Sequence, residues 1–421
     1  MDVDVAVVGA GPYGLSVAAH LRHRGIDTAV IGLPLDTWKN HMPAGMLLKS
    51  DGFSSSLDAP VPGWRLGDWA ARNGVPYHDT RDRVVLERFG DYGDDFQRAL
   101  VPGVDERLVT SLRRVDGGFA VRVAGDPEFT AKRVVTAVGI THFARLPRSL
   151  QGLGERIRHA SALRTFDRFA GQRVAVIGGG SSATEVAFEL VNAGAAEVRL
   201  ITRHTSLQFW DPPTDDEPTW IEELKNPLSG LGRGWRLKAC ADFADAFRLL
   251  PVDRRLGLLA RFFTGSGYWL RDTVERGADI MLDTTLLGAK ESDDEVILEL
   301  EHGGERSTLT VDHVIAATGY EADLDRLEFL DPGIRATAKR VGSMPALSPG
   351  FQSSIPGLYF VGPIAAGSFG PLMRFMVGAE FAAPRVARRI DARARRRSTV
   401  PAPPVQPVPT PLADPAGSVV K

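Results

Sequence analysis

Cysteine is almost missing from this chain: Cys240 is the single one in 421 residues. That excludes an internal disulfide, a C-x-x-C redox pair and any cysteine-based zinc or iron–sulfur centre, and no other metal site is expected. An excess of charge is also missing, since 50 Lys and Arg stand against 52 Asp and Glu, a net charge of −2. No global attraction to nucleic acid or to an anionic membrane is therefore expected. No apolar run reaches membrane-spanning length. No basic segment followed by an apolar stretch opens the sequence, so a signal peptide is not expected and the reading is a cytoplasmic protein. At this length one ordinary core is exceeded, and two domains are the default.

What is present begins at once. Val5-Ala6-Val7-Val8 is a run of small and β-branched residues, the pattern of a buried parallel strand. Gly9-Ala10-Gly11-Pro12-Tyr13-Gly14 follows as a G-x-G-x-x-G turn, and Leu15, Ala18, Ala19 and Leu21 then recur at helical spacing. In such a unit Gly9 permits the tight turn, Gly11 lets the backbone approach a pyrophosphate, and Gly14 lets helix and strand pack closely. The phosphates meet the free N–H groups and the positive dipole end of the helix. Asp27 to Ile31 reads as the second strand, but Gly32 stands where an acid usually holds the adenosine ribose. Asp36 is the substitute the local sequence offers.

A second unit of the same kind starts at Arg173. Val174 to Ile177 is the strand, Gly178-Gly179-Gly180-Ser181-Ser182-Ala183 the turn, and Thr184 to Val191 the helix. Its second strand, Val198 to His204, carries Arg203 where an NAD site would present an acid. A guanidinium there grips a 2′-phosphate where a carboxylate would repel it, which favours NADPH over NADH.

Elsewhere, Leu66–Ala71 and Val84–Leu100 read as helices, with Phe89, Tyr92 and Phe96 of the latter sharing an apolar face, and Val109–Val123 reads as a hairpin around Gly117-Gly118. Residues 205–277 exceed what a plain dinucleotide domain needs. They hold Trp210, Trp220, Trp235 and Trp269, the acidic run Asp215-Asp216-Glu217, and expected helices over Asp242–Leu250 and Arg254–Phe263. This insertion is either a substrate lid or subunit contact, or an accessory subdomain with a small core of its own. Short strands are expected at Ala278–Leu282 and Glu295–Glu301, and Val314 to Thr318-Gly319 is another buried strand ending on glycine. Leu358 to Gly362, then Phe369-Gly370 and a helix over Leu372–Ile390, repeat strand, turn and helix once more. A helix start near Gly370 suits the electron-rich end of a flavin. The arginines from Arg385 to Arg397 read as a solvated helix end. The segment from Ser398 on is Pro-rich and reads as a disordered tail.

Two such units, with Ala316, Thr318 and Gly319 closing the second, resemble the two-dinucleotide-binding flavoproteins. Within these the chain resembles the class B flavoprotein monooxygenases, a group spanning flavin-containing monooxygenases, Baeyer–Villiger enzymes and lysine/ornithine N-hydroxylases. Trp38 with Gly45-Met46-Leu47-Leu48 is similar to the loop that lies over the flavin in the N-hydroxylases. Leu48-Lys49-Ser50-Asp51 is similar to the flavin-side loop of flavin-containing monooxygenases, with Asp51 where asparagine is frequent. Of the family's F-x-G-x-x-x-H fingerprint only His159 is present, because Leu153 and Glu155 replace the phenylalanine and the glycine. A lone histidine there reads as structural.

The fold implied is α/β, with two Rossmann-like domains, the second inserted in the first, plus the helical insertion. The expected segments are 1–165 and 309–397 for FAD, 166–308 for NADPH, and 398–421 for the tail. The resemblance implies FAD held by Gly9, Gly11, Pro12, Tyr13, Gly14, Trp38, Met46, Leu48, Gly362, Phe369 and Gly370. It implies NADPH held by Gly178, Gly180, Ser181, Ser182, Ala183, Arg203, Thr318 and Gly319. The reaction implied is transfer of one oxygen atom from O2 to a small molecule through a flavin hydroperoxide, with Lys49, Ser50 and Asp51 beside the reacting centre. A flavoprotein reductase and a non-catalytic cofactor-binding protein remain as alternatives, as do aromatic hydroxylation as the reaction type and an oligomer as the assembly.

Overall fold

The computed structural model describes residues 2–125, 127–212, 218–262 and 265–395. The expectations for Asp215-Asp216-Glu217, Phe263, Arg396-Arg397 and the tail 398–421 lie outside these residues.

The chain enters directly on β1 (Asp2–Val8), turns into α1 (Pro12–His23) and returns as β2 (Thr28–Ile31). Pro12 sits at the first helical position, where its fixed φ is already helical and its missing N–H is not needed. The connection that follows carries α2 (Asp36–Asn40), α3 (Leu66–Arg72) and α4 (Leu86–Leu100). Phe89, Tyr92 and Phe96 of α4 are fully buried, and Tyr92 meets both the Trp69 and the Phe96 rings at steep angles. These aromatics are core, as their spacing predicts. The hairpin β3 (Val109–Val115) and β4 (Gly118–Val123) leads into β5 (Phe129–Thr136).

The second unit comprises β6 (Ile157–His159), β7 (Arg173–Ile177), α5 (Ser181–Asn192) and β8 (Glu197–Ile201). The insertion then brings α6 (Trp220–Lys225), a hairpin of β9 (Leu228–Ser229) and β10 (Gly232–Arg233), α7 (Trp235–Asp242), α8 (Ala244–Phe247) and α9 (Val252–Arg261). After α10 (Arg271–Gly277) come β11 (Asp279–Met281), β12 (Thr284–Glu291), β13 (Val296–His302), β14 (Glu305–Val311) and β15 (His313–Ala316). The chain closes through α11 (Pro332–Thr337), β16 (Arg340–Val341), β17 (Met344–Pro345), β18 (Leu358–Phe360), α12 (Ala366–Phe369) and α13 (Gly378–Arg395).

Three main sheets result. The first has the order β2-β1-β5-β4-β3, with β18 also paired to β5. The second is all parallel, β11-β8-β7-β15-β6. The third is the antiparallel meander β12-β13-β14. Because β18 returns to the first sheet after all strands of the second, the second unit is inserted in the first, which is the expected α/β arrangement. Among the described residues no helix is long and apolar enough to cross a membrane.

Several local expectations are corrected. The helix placed at Asp242–Leu250 is the shorter α8, which begins only at Ala244; α7 ends at Asp242, and Phe243 between them, at φ −106° and ψ 29°, leaves the helical region. The helix placed at Leu372–Ile390 begins only at Gly378, after a 3-10 turn over Pro371–Arg374. The Tyr13 hydroxyl donates to the Phe375 carbonyl at 2.7 Å and lies 3.2 Å from that of Met373, holding these groups out of a helical ladder. β15 and β6 pair within the second sheet, so its strands reach beyond 309 and begin before 166. β12 and β14 were not anticipated; the Gly303-Gly304 turn between β13 and β14 was the available signal. Among the described residues the insertion forms no separate core. Its Leu231, Ala244, Leu259 and Phe262 are buried in the same apolar cluster as β1 and α1.

Phe369 and Gly370 are corrected as cofactor residues. The Phe369 ring is fully buried and stacks on Phe351 at 4.0 Å and 20°. Gly370 ends α12 at φ +81° with the Phe247 ring against it. Neither reaches the cavity described below. Phe369→Ala is accordingly expected to lower unfolding stability by about 3–5 kcal/mol in urea titration. The flavin absorbance per folded chain should stay unchanged, and a colourless but fully stable variant would contradict this placement.

Candidate functional site

Between the first sheet and the start of α5 lies a cavity of about 450 Å³. Its floor is the first turn: Gly9, Gly11, Pro12 and Tyr13 line it, and Gly362 approaches from the end of β18. Gly9 has φ +107° and a Cβ there would fall 2.3 Å from the Ala137 carbonyl oxygen. Gly14 lies beneath, where a Cβ would stand 1.9 Å from the Gly9 carbonyl oxygen. Gly11 differs: a Cβ would meet nothing nearer than the Trp38 ring at 4.0 Å, so this backbone faces open space. A cradle that one methyl group would fill is what a pyrophosphate needs. Gly32, at φ +134°, has the Gly9 Cα 3.1 Å from where its own Cβ would be. The backbone itself therefore excludes the usual ribose-binding acid at this place. Asp36 does line the cavity, held by Asn40 at 2.7 Å and His41 at 3.1 Å.

The loop after α2 supplies one wall. Trp38, Met46, Leu48, Lys49, Ser50 and Asp51 all line the cavity. Lys49 Nζ donates to Ser181 Oγ and, at 3.3 Å, to the Gly265 carbonyl, so one side chain ties this loop to α5 and to the end of the insertion. Burial pushes the Lys49 ammonium down to about 8, against the opposing pull of Glu185. Asp51 pairs with Arg83 at 2.8 Å, and Arg83 also donates to the Lys49 carbonyl at 2.9 Å. Burial raises the Asp51 carboxyl, with Arg83 opposing the shift. Ser50 accepts from Ser55 Oγ at 3.0 Å.

The second unit supplies the opposite wall. Ser181, Ser182 and Glu185 of α5 line the cavity, together with Trp210. Gly178, at φ +143°, packs on the Ala317 carbonyl, and Gly180 precedes the first turn of α5. Ala183 is buried on the core face of α5, and Arg203 is exposed just beyond β8. Thr318 Oγ1 donates to the Arg145 carbonyl, and the Gly319 carbonyl accepts from the Arg145 N–H at 2.9 Å. Gly14, Gly178, Gly180, Ala183, Arg203, Thr318 and Gly319 are therefore not part of the cavity wall itself. His159 contacts Ser161 Oγ at 2.8 Å and the Gly319 carbonyl at 3.2 Å, the structural role expected for it. Among the described residues no cluster of three or more His, Cys, Asp or Glu could hold a metal ion.

Three lining groups were missed in the sequence. The β9–β10 hairpin inserts Gly230, Leu231 and Gly232 as a wall of the cavity. Trp210 lies 5.7 Å from the Lys49 ammonium and 5.8 Å from the Arg83 guanidinium, measured to the ring centroid. Glu185 is a carboxyl on the buried side of α5, pushed up to about 8 by burial, with Glu189 adding and Lys49 opposing. A carboxylate inside the apolar run Ala183–Ala187 was the signal for it.

Two families match parts of the chain. Residues 2–41 match the FAD binding domain family, and residues 101–229 match the pyridine nucleotide-disulphide oxidoreductase family. The chain is 24% identical to an FAD-dependent urate hydroxylase of Xanthomonas campestris pv. campestris, over 92% of this chain and 85% of that protein. It is 27% identical to an indole-3-pyruvate monooxygenase of rice, a match that spans about half the length of each, 47% and 47%. The fold is shared with the ornithine N-hydroxylase of Kutzneria sp. 744, with a TM-score of 0.73 at 17% identity over 94% of this chain and 100% of that one. The expected two-domain flavoprotein fold is thus present, and the relatives and neighbours are FAD-dependent oxidoreductases and monooxygenases.

Proposed function

We propose that this chain, a flavoprotein oxidoreductase by fold and relatives, is an FAD- and NADPH-dependent monooxygenase. It would place one oxygen atom from O2 into a small molecule, by N-hydroxylation, S-oxidation or a Baeyer–Villiger reaction. The observation that carries this reading is the single cavity lined by both nucleotide units, with Lys49 bridging them at Ser181. FAD, when bound and reduced by NADPH, supplies the oxygen-activating chemistry.

The chain's own residues do the rest. The first turn and Gly362 hold the FAD backbone, and the start of α5 offers its N–H groups to a second pyrophosphate. Arg203, exposed at the end of β8, supports NADPH as the donor through a 2′-phosphate. Trp38, Met46 and Leu48 exclude water from one side and Leu231 from the other. Lys49 and the Asp51–Arg83 pair present polar hydrogens to the reacting centre.

Urate, L-ornithine and indole-3-pyruvate are the first substrates to assay, because the relatives and neighbours named above act on them. Under ¹⁸O2, NADPH oxidation with one ¹⁸O atom in the product supports the reading. NADPH oxidation that reduces an added acceptor and puts no ¹⁸O in any product would favour the reductase. Asp51→Asn, which retains the packing beside Arg83, is expected to keep FAD bound but to raise the peroxide released per NADPH severalfold. Unchanged coupling, measured as peroxide against NADPH consumed, would remove Asp51 from the reacting centre.

A further inference from the structure

The charged groups on the cavity wall answer to a neighbour, with one exception. Asp36 meets His41, Asp51 meets Arg83, and Lys49 lies in the field of Glu185. His142, also on the wall, is pushed toward its neutral form by burial. Arg374 lines the same cavity from the 3-10 turn before α13, and no acid pairs with it among the described residues. Burial lowers its guanidinium from the ordinary arginine value, and no carboxylate opposes that shift. Its Nη1 donates to the Leu259 carbonyl of α9 at 3.0 Å, which fixes the head group and leaves the rest of the N–H fork available.

The surroundings narrow the ligand. The next residues, Phe375, Met376 and Val377, line the cavity, and the β9–β10 hairpin packs against them: a Cβ on Gly230 would fall 2.7 Å from Val377 Cγ2. Leu231 of that hairpin adds further apolar surface. An unpaired guanidinium beside an apolar wall suits an anion on an apolar body, and its planar fork matches a carboxylate bidentately. The dinucleotide phosphates do not require this group, since the two glycine turns offer N–H donors of their own. We propose that Arg374 is a substrate-binding residue, and that the substrate is a small carboxylic acid with an apolar body whose carboxylate Arg374 holds. The ligand's role as substrate rests on the monooxygenase reading; its binding is tested apart from turnover.

The test uses the FAD-loaded protein and two matched pairs of probes, benzoate with benzamide and indole-3-acetate with indole-3-acetamide, in which a neutral amide replaces the carboxylate. Dissociation constants are read from the flavin absorbance change, without NADPH. Wild type is expected to bind at least one acid about 10-fold more tightly than its amide, the size of one charge-assisted hydrogen bond. Arg374→Gln, which retains an N–H donor for the Leu259 carbonyl, should bring acid and amide within about twofold of each other. Arg374→Lys, a cation without the planar fork, should fall between the two. Flavin content per chain is expected to be unchanged in both variants. Equal affinities within both pairs in wild type, binding of none of the four probes, or a preference for the acid retained in Arg374→Gln would overturn the proposal. So would loss of FAD from either variant, which would assign the guanidinium to the flavin. Should ¹⁸O incorporation fail while the acid preference holds, the monooxygenase reading falls and the anion site stands.

Discussion

Lys49→Met is expected to slow the reduction of bound FAD by NADPH about 100-fold while leaving FAD in place. The argument is geometric. The Lys49 ammonium links the loop of the first unit to both Ser181 on α5 and the Gly265 carbonyl. Charged hydrogen bonds of this kind contribute about 1.5–3 kcal/mol each when buried. Without them the two nucleotide walls of the cavity keep their own folds but lose their mutual register, and displacements of about 1 Å in a transfer geometry cost rates of this order. Met retains the length and apolar body of the lysine stem beside Trp210. Anaerobic stopped-flow at the flavin band measures the effect. Dithionite, which needs no register between the walls, should reduce the variant at the wild-type rate. A variant reduced normally by NADPH would show that Lys49 only fills space.

The second large effect separates two glycines of one turn. Gly11→Ala should give a protein with normal unfolding stability and at least about 100-fold weaker FAD binding. Gly11 has φ −79° and ψ −174°, a conformation alanine adopts freely, and its Cβ would project into open cavity with only Trp38 at 4.0 Å. The methyl group therefore takes space only from a ligand. Gly14→Ala is the opposite case. Its Cβ would fall 1.9 Å from the Gly9 carbonyl oxygen, so α1 must move off β1, and overpacking of this severity costs about 3 kcal/mol or more. Urea titration beside flavin content per chain distinguishes the two. Gly11→Ala that holds FAD normally would mean the dinucleotide does not approach this turn.

These two glycines also show what was legible in the sequence. A glycine turn between a buried strand and a helix is a local constraint, so both nucleotide units could be placed without knowing the rest of the fold. The same is true of the Trp38 to Asp51 loop, because ligands in such folds gather beyond the strand ends. What failed depended on distant contacts. Phe369 follows a glycine turn in sequence, yet stacking on Phe351 puts it in the core. Tyr13, from the first helix, delays the last helix by holding the carbonyl of Phe375. Glu185 was read as one more helix residue, since only the packed structure shows that it is buried and faces the cavity. The insertion was legible as an excess of chain; that its Leu231 would close the cavity was not.

The most direct test of the account is the stoichiometry of flavin reduction. Purified protein, saturated with FAD and freed of excess, is titrated anaerobically with NADPH while the flavin band is followed. The account predicts one FAD per chain, bleached by one equivalent of NADPH. A chain that refuses FAD, or one whose bound FAD keeps its colour through excess NADPH, would contradict it.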